Sequence, residues 1–137
     1  MAIINMQTMR YINLLDRASH VKTRKCFPYN NTIIFAVPKA FVSQAIGPEA
    51  SHVRAIQEQI GKRIRIIEEA VNIEDAQHFV EAVVSPINFK SLELKEGEFV
   101  LTAGSQSKAA LIGRNRRREE ELKQIVKDTF GIELRIV

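Results

Sequence analysis

At 137 residues the chain is the size of one ordinary domain or two very small ones. With 45% hydrophobic and 26% charged residues it has the composition of a packed globular protein, and a single cysteine excludes an internal disulfide. A net charge of +4 admits a polyanionic partner, while the low aromatic content and the absence of Trp argue against base stacking on exposed rings.

The elements follow in chain order. Residues 1–6 lack the charged lead and long apolar run of a secretory signal, and no apolar stretch is long enough to span a bilayer, so a cytoplasmic protein is expected. Thr8 to Arg17 reads as a helix, with Met9, Ile12 and Leu15 at helical spacing and Thr8 as its cap. Thr23 to Tyr29 and Thr32 to Val37 read as strands around an Asn30-Asn31 turn. Pro38 opens a helix whose face is Phe41, Val42, Ala45 and Ile46 and which ends at Gly47. Ser51 caps the next helix, lined by Val53, Ile56 and Ile60 and stopped by Gly61. Lys62 to Glu68 alternates as a strand with one buried face, Ile64 and Ile66 opposite Arg63, Arg65 and Ile67.

Asn72 to Val84 reads as a helix with Asp75 in its first turn and Phe79, Val80 and Val83 on one face, closed by Ser85-Pro86. Phe89 to Leu94 and Phe99 to Ala103 form a hairpin around Glu96-Gly97. A short helix from Gly104-Ser105 ends at Gly113. A longer one carries the stripe Leu122, Ile125, Val126 and Phe130 and stops at Gly131, and Ile132 to Val137 alternates as the last strand.

The order helix, strand, strand, helix, glycine turn, helix, glycine stop, strand has occurred twice. Gly47 and Gly113 are 66 residues apart, as are Val37 and Ala103. From turn glycine to stop glycine is 14 residues in the first copy and 18 in the second. Four extra residues are about one helical turn, which keeps the apolar face in phase. The chain therefore reads as an internal duplication. The boundary falls near residues 70–73, giving units 1–71 and 72–137. With no Gly/Ser/Pro-rich linker, the copies are expected to abut rigidly.

The densest positive charge follows the second turn glycine: Gly113-Arg114-Asn115-Arg116-Arg117-Arg118. At a helix start, amides without intrahelical partners and a favourable dipole suit an anion. One reading is a nucleic-acid backbone clamp. The other is a solvated turn whose arginines pair with Glu119, Glu120 and Glu121. The sequence carries no recognisable catalytic constellation. His20, His52 and His78 lie on separate elements, none pairs with Cys26 at metal-ligand spacing, and no phosphate loop, nucleophile elbow or dinucleotide fingerprint occurs. Cys26 beside Phe27 reads as a small core residue. No enzyme, metal site or cofactor is expected.

A helix–glycine-loop–helix on a three-stranded sheet resembles the KH domain, and the N-terminal placement of the extra helix and strand resembles type II KH. Two copies in this length resemble the archaeal NusA-like transcription factors, through Arg10 to Leu15, Lys25-Cys26-Phe27, Ala45-Ile46-Gly47, Gly61 to Ile64 and Leu111-Ile112-Gly113. The resemblance implies an α+β fold of two tandem type II KH domains, each a three-stranded sheet packed on helices. It implies single-stranded RNA binding in transcription elongation or termination near RNA polymerase, by a monomer with no membrane association. Gly113, Arg114, Asn115, Arg116, Arg117 and Arg118 would hold the RNA backbone, and a groove between the second helix and the neighbouring strand would take unpaired bases. Gly47, Ala50 and Ser51 would do the same more weakly, flanked by Lys39, Arg54 and Lys108. Both loops depart from the family's Gly-x-x-Gly. The first reads Gly47-Pro48-Glu49-Ala50, losing an N–H and gaining a negative charge, and the second ends in Arg116. Glu119 stands where the family is usually apolar. The alternative is a protein–protein adaptor with a degenerate KH fold docking on RNA polymerase or the ribosome, or a ribosome-linked KH protein.

Overall fold

The computed structural model describes residues 6–137. They divide into two compact units, one ending at Glu69 and the other spanning Ala70–Val137.

In the first unit, helix α1 (Met6–Ser19) precedes strands β1 (Lys25–Tyr29) and β2 (Thr32–Val37). A 3-10 turn at Lys39–Phe41 leads into α2 (Val42–Ile46). A second 3-10 turn (Pro48–Ala50) leads into α3 (Ser51–Ile60), and β3 (Arg63–Glu68) closes the unit. The sheet order is β1-β2-β3, with β1 antiparallel and β3 parallel to β2. A parallel partner needs a crossover, and α2 and α3 supply it. The core gathers Tyr11, Leu15, Val21, Cys26, Ile33, Phe35, Val37, Ala45, Ile56 and Ile64. Burial pushes the Cys26 thiol up to about 12.

The second unit repeats this order. Asn72 caps a 3-10 turn (Ile73–Asp75), followed by α4 (Ala76–Val84), β4 (Ser91–Lys95), β5 (Glu98–Thr102) and α5 (Ser105–Ile112). A further 3-10 turn (Arg114–Arg116) leads to α6 (Arg117–Phe130) and β6 (Glu133–Ile136). Strand β4 is antiparallel and β6 parallel to β5. Phe130, on α6, meets Phe79 and Phe99 edge-on at centroid distances of 5.8 and 5.6 Å. Those contacts join α4, α6 and the sheet. Helix α6 is 14 residues against 10 for α3, the extra turn expected from the glycine spacing.

Several local expectations are corrected. Thr8 lies inside α1 and does not begin it. Strand β1 starts at Lys25, because the Thr23 hydroxyl donates to Ala36 O at 2.6 Å and accepts from Lys25 N at 3.0 Å, in place of ladder bonds. Phe41 is 47% exposed, since the 3-10 turn rotates it off the face that buries Ala45. β3 is not buried on one face only, because Ile64 and Ile67 are both buried though three residues apart. The Asn72 helix begins as a 3-10 turn because Asn72 and Asp75 form a reciprocal capping box.

Candidate nucleic-acid interface

Each crossover turns on one glycine, and the two turns have the same backbone. Gly47 sits at φ 80°, ψ 165° and Gly113 at φ 73°, ψ 178°. Glu49 (54°, 33°) matches Asn115 (56°, 27°), and Ala50 (59°, 28°) matches Arg116 (59°, 20°). The glycines occupy a region essentially closed to side chains, and the next matched pairs are left-handed. The position at which the resemblance leads one to expect a second glycine is thus a left-handed one in both loops. It is filled at a conformational cost by Ala50 and Arg116.

A latch also repeats. Nδ1 of His52 lies 2.8 Å from Gln44 O, and Nη1 of Arg118 donates to Ala110 O at 3.2 Å. Because a carbonyl only accepts, His52 Nδ1 carries the hydrogen. Gln44 and Ala110 stand three residues before their glycines, and His52 and Arg118 five after, so the 66-residue offset holds throughout. A Cβ on Gly47 would lie 2.7 Å from the His52 ring, and one on Gly113 2.9 Å from Cγ of Arg118. The glycine therefore makes room for the side chain that clips the second helix to the first.

The latch revises the arginine clamp. Arg118 is half-buried and spends a guanidinium nitrogen on Ala110 O. Nη1 of Arg116 donates to Oε1 of Glu119 at 3.2 Å, and Nζ of Lys123 stands 3.9 Å from Oε2. Glu119 is 7% exposed, so its carboxylate leaves water only because those cations and the start of α6 compensate it. Of the arginine–glutamate pairs expected for a solvated turn, the Arg116–Glu119 pair is formed. Arg114 and Arg117 are exposed and have no ion pair among the described residues.

The expectation that the amides at this helix start lack intrahelical partners is corrected for two of them. Arg116 N donates to Gly113 O at 3.3 Å and Arg117 N to Arg114 O, bonds that close the 3-10 turn. Arg114 and Asn115 remain the loop's candidate amide donors. The first loop closes in the same way, Ala50 N to Gly47 O at 3.1 Å and Ser51 N to Pro48 O. There Pro48 has no amide to offer. Ser51 does not cap α3. It is the first helical residue, Ala50 holds the cap position, and no side chain caps the helix. A left-handed residue at the cap position replaces the extended geometry that a serine cap requires.

Arg114 to Arg117 is thus one continuous exposed run with two unengaged cations, Arg114 and Arg117, bounded by the half-buried Gly113 and Arg118. Lys39 lies exposed in the 3-10 turn before α2, Arg54 exposed near the start of α3, and Lys108 half-buried within α5. His52, Gln44 and Ala110 are structurally decisive neighbours outside the expected RNA-contact residues, and Glu119, expected as an arginine partner, takes that place with Arg116. Extending the 66-residue offset from Gly47 and Gly113 to flanking residues would have paired His52 with Arg118.

Among the described residues no helix is long and apolar enough to cross a membrane, and no three His, Cys, Asp or Glu residues are grouped to hold a metal. No family model matches the chain. In fold, the chain is similar to a solved structure described as "Crystal structure of APE1850", with a TM-score of 0.67 at 23% identity, covering 98% of this chain and 99% of that one. In sequence, it is similar to the "Probable transcription termination protein NusA" of Halococcus morrhuae, 23% identical over 128 residues that cover 91% of this chain and 90% of that protein.

Proposed function

We propose that this chain is a NusA-like, single-stranded RNA-binding transcription factor made of two tandem type II KH modules, 1–71 and 72–137. It acts by binding, not catalysis, beside RNA polymerase during elongation or termination. The distant relative's name supports the transcription role. The repeated topology and the shared Gly47 and Gly113 turns support the KH reading.

The observation that carries the RNA assignment is the second turn. It holds Arg114 and Arg117 exposed and unpaired beside the Arg114 and Asn115 amides. Arginine offers a planar fork that suits phosphate, and a fixed turn limits the entropy lost on binding. The first turn offers no such charge: Pro48 and Glu49 make it the weaker or purely architectural copy.

RNA affinity measured against salt concentration tests this. Removing one phosphate-contacting arginine flattens the log–log slope by about 0.7 on single strands. Arg114→Ala and Arg117→Ala should each do so, and unchanged slopes in both would remove the clamp. The adaptor reading is favoured by Glu49 and by the Arg116–Glu119 pair, which lower the turns' positive potential. Co-purification with and without ribonuclease separates the two, since an adaptor's partner survives digestion.

A further inference from the structure

Helix α1 buries Tyr11, Leu15 and Ser19 and leaves a second face in water. Met6, Arg10, Asn13 and Arg17 recur along that face at helical spacing. Met6 is 90% and Met9 53% exposed. Depressions flank the ridge formed by Met9 and Asn13. The larger, about 770 Å³, is lined by Met9, Ile12, Asn13 and Asp16 of α1 and by Lys22 to Arg24. The smaller, about 460 Å³, runs between α1 and Gln59 of α3 and is edged by Arg10 and Arg17. Arg10, Arg17, Lys22 and Arg24 are all exposed and have no ion pair among the described residues. The matching helix of the second unit, α4, exposes Gln77, His78 and Glu81 instead.

We propose that this face of α1 is a docking surface for an acidic amphipathic helix of a partner protein. Exposed methionines adapt to an incoming apolar face and are enriched where proteins meet. The two depressions beside the ridge take apolar side chains, and cations on both flanks meet carboxylates, which suits a helix laid along a groove. Charge sets the partner's sign: four unpaired cations stand against the single carboxylate of Asp16. Nucleic acid fits less well, because Asp16 lines the larger depression and Tyr11, the aromatic of α1, is buried and offers no stacking face. A partner helix matching α1 in length would have about four turns.

The test is a titration of the ¹⁵N-labelled full chain with two synthetic helical peptides sharing one apolar face. One has a glutamate-rich polar face and the other a lysine-rich one. The acidic peptide should shift the amides of Met9, Asn13 and Lys22 to Arg24, and the basic peptide should not. A Lys22→Glu/Arg24→Glu variant should weaken the acidic peptide about tenfold, as should Arg17→Glu. These side chains are exposed, and the same spectra report whether each variant is folded. Equal binding of both peptides, no shift from the acidic one at millimolar concentration, or a single-stranded RNA shifting these amides before those of residues 113–118 would each overturn the proposal. The RNA clamp is read at residues 113–118, so either assignment can fail without the other.

Discussion

Replacing Gly113 by alanine probes the architecture of the second turn directly. At φ 73°, ψ 178° the backbone lies where only glycine is comfortable, a strain of about 1–3 kcal/mol for any side chain. The added Cβ would also stand 2.9 Å from Cγ and 3.0 Å from Cβ of Arg118. Yielding to it moves the guanidinium off Ala110 O and forfeits a hydrogen bond worth about 1 kcal/mol at this partly exposed position. Together the loss comes to about 2–4 kcal/mol. Gly131 is the internal control. It has φ 70°, ψ 22° and nothing within 4 Å of a Cβ, so Gly131→Ala should cost only about 1–2 kcal/mol. Urea unfolding of the full chain, followed through resonances of Leu122 and Val126, measures both. In an Arg118→Ala background, Gly113→Ala should cost about 1 kcal/mol less, because the latch is already gone. A Gly113→Ala cost no greater than that of Gly131→Ala, or one unchanged by Arg118→Ala, would refute the latch. It also follows that Gly113→Asp is a poor probe of RNA contact, since it strains the turn as well as repelling phosphate.

Arg118→Ala should weaken RNA binding while leaving the salt slope unchanged, because Arg118 positions the turn and does not neutralise a phosphate. A slope flattened by about 0.7 would return it to the clamp. Glu119→Gln should free Arg116 and steepen the slope by up to about 0.7, and no change would mean that Arg116 points away from RNA. Ala50→Gly should stabilise the first unit by about 0.5–1 kcal/mol, the left-handed penalty relieved less the added chain entropy, and urea unfolding checks it. The raised Cys26 thiol stabilises the fold fully below its unfolded value of 9.0, and that contribution is lost as pH rises from there towards about 12. Between pH 8 and pH 10 the parent should therefore lose about 1 kcal/mol more than Cys26→Ala, and parallel pH profiles would contradict the burial.

Much of this protein follows from local pattern alone. Strand β2 runs from Thr32 to Val37 as its β-branched residues dictate, and Gly61 and Gly131 end α3 and α6 in left-handed conformations that other residues adopt at a cost. The 66-residue spacing from the first strand to the turn glycine, widened by one helical turn after it, carried the repeated topology, because each element is set by its own periodicity. What local pattern could not decide is which charges are spent internally. Arg116 and Arg118 look like Arg114 and Arg117 in a string of letters. Only the folded arrangement buries Glu119 beside Arg116, clips Arg118 of α6 to Ala110 O of α5 and leaves the other two in water. The same holds for Thr23, Phe41 and Ser51, whose roles depend on a carbonyl across the sheet, a rotated turn and a left-handed neighbour. Secondary structure is written in near-neighbour sterics and periodicity, whereas the fate of a charge depends on which distant atoms arrive beside it and how much water they exclude.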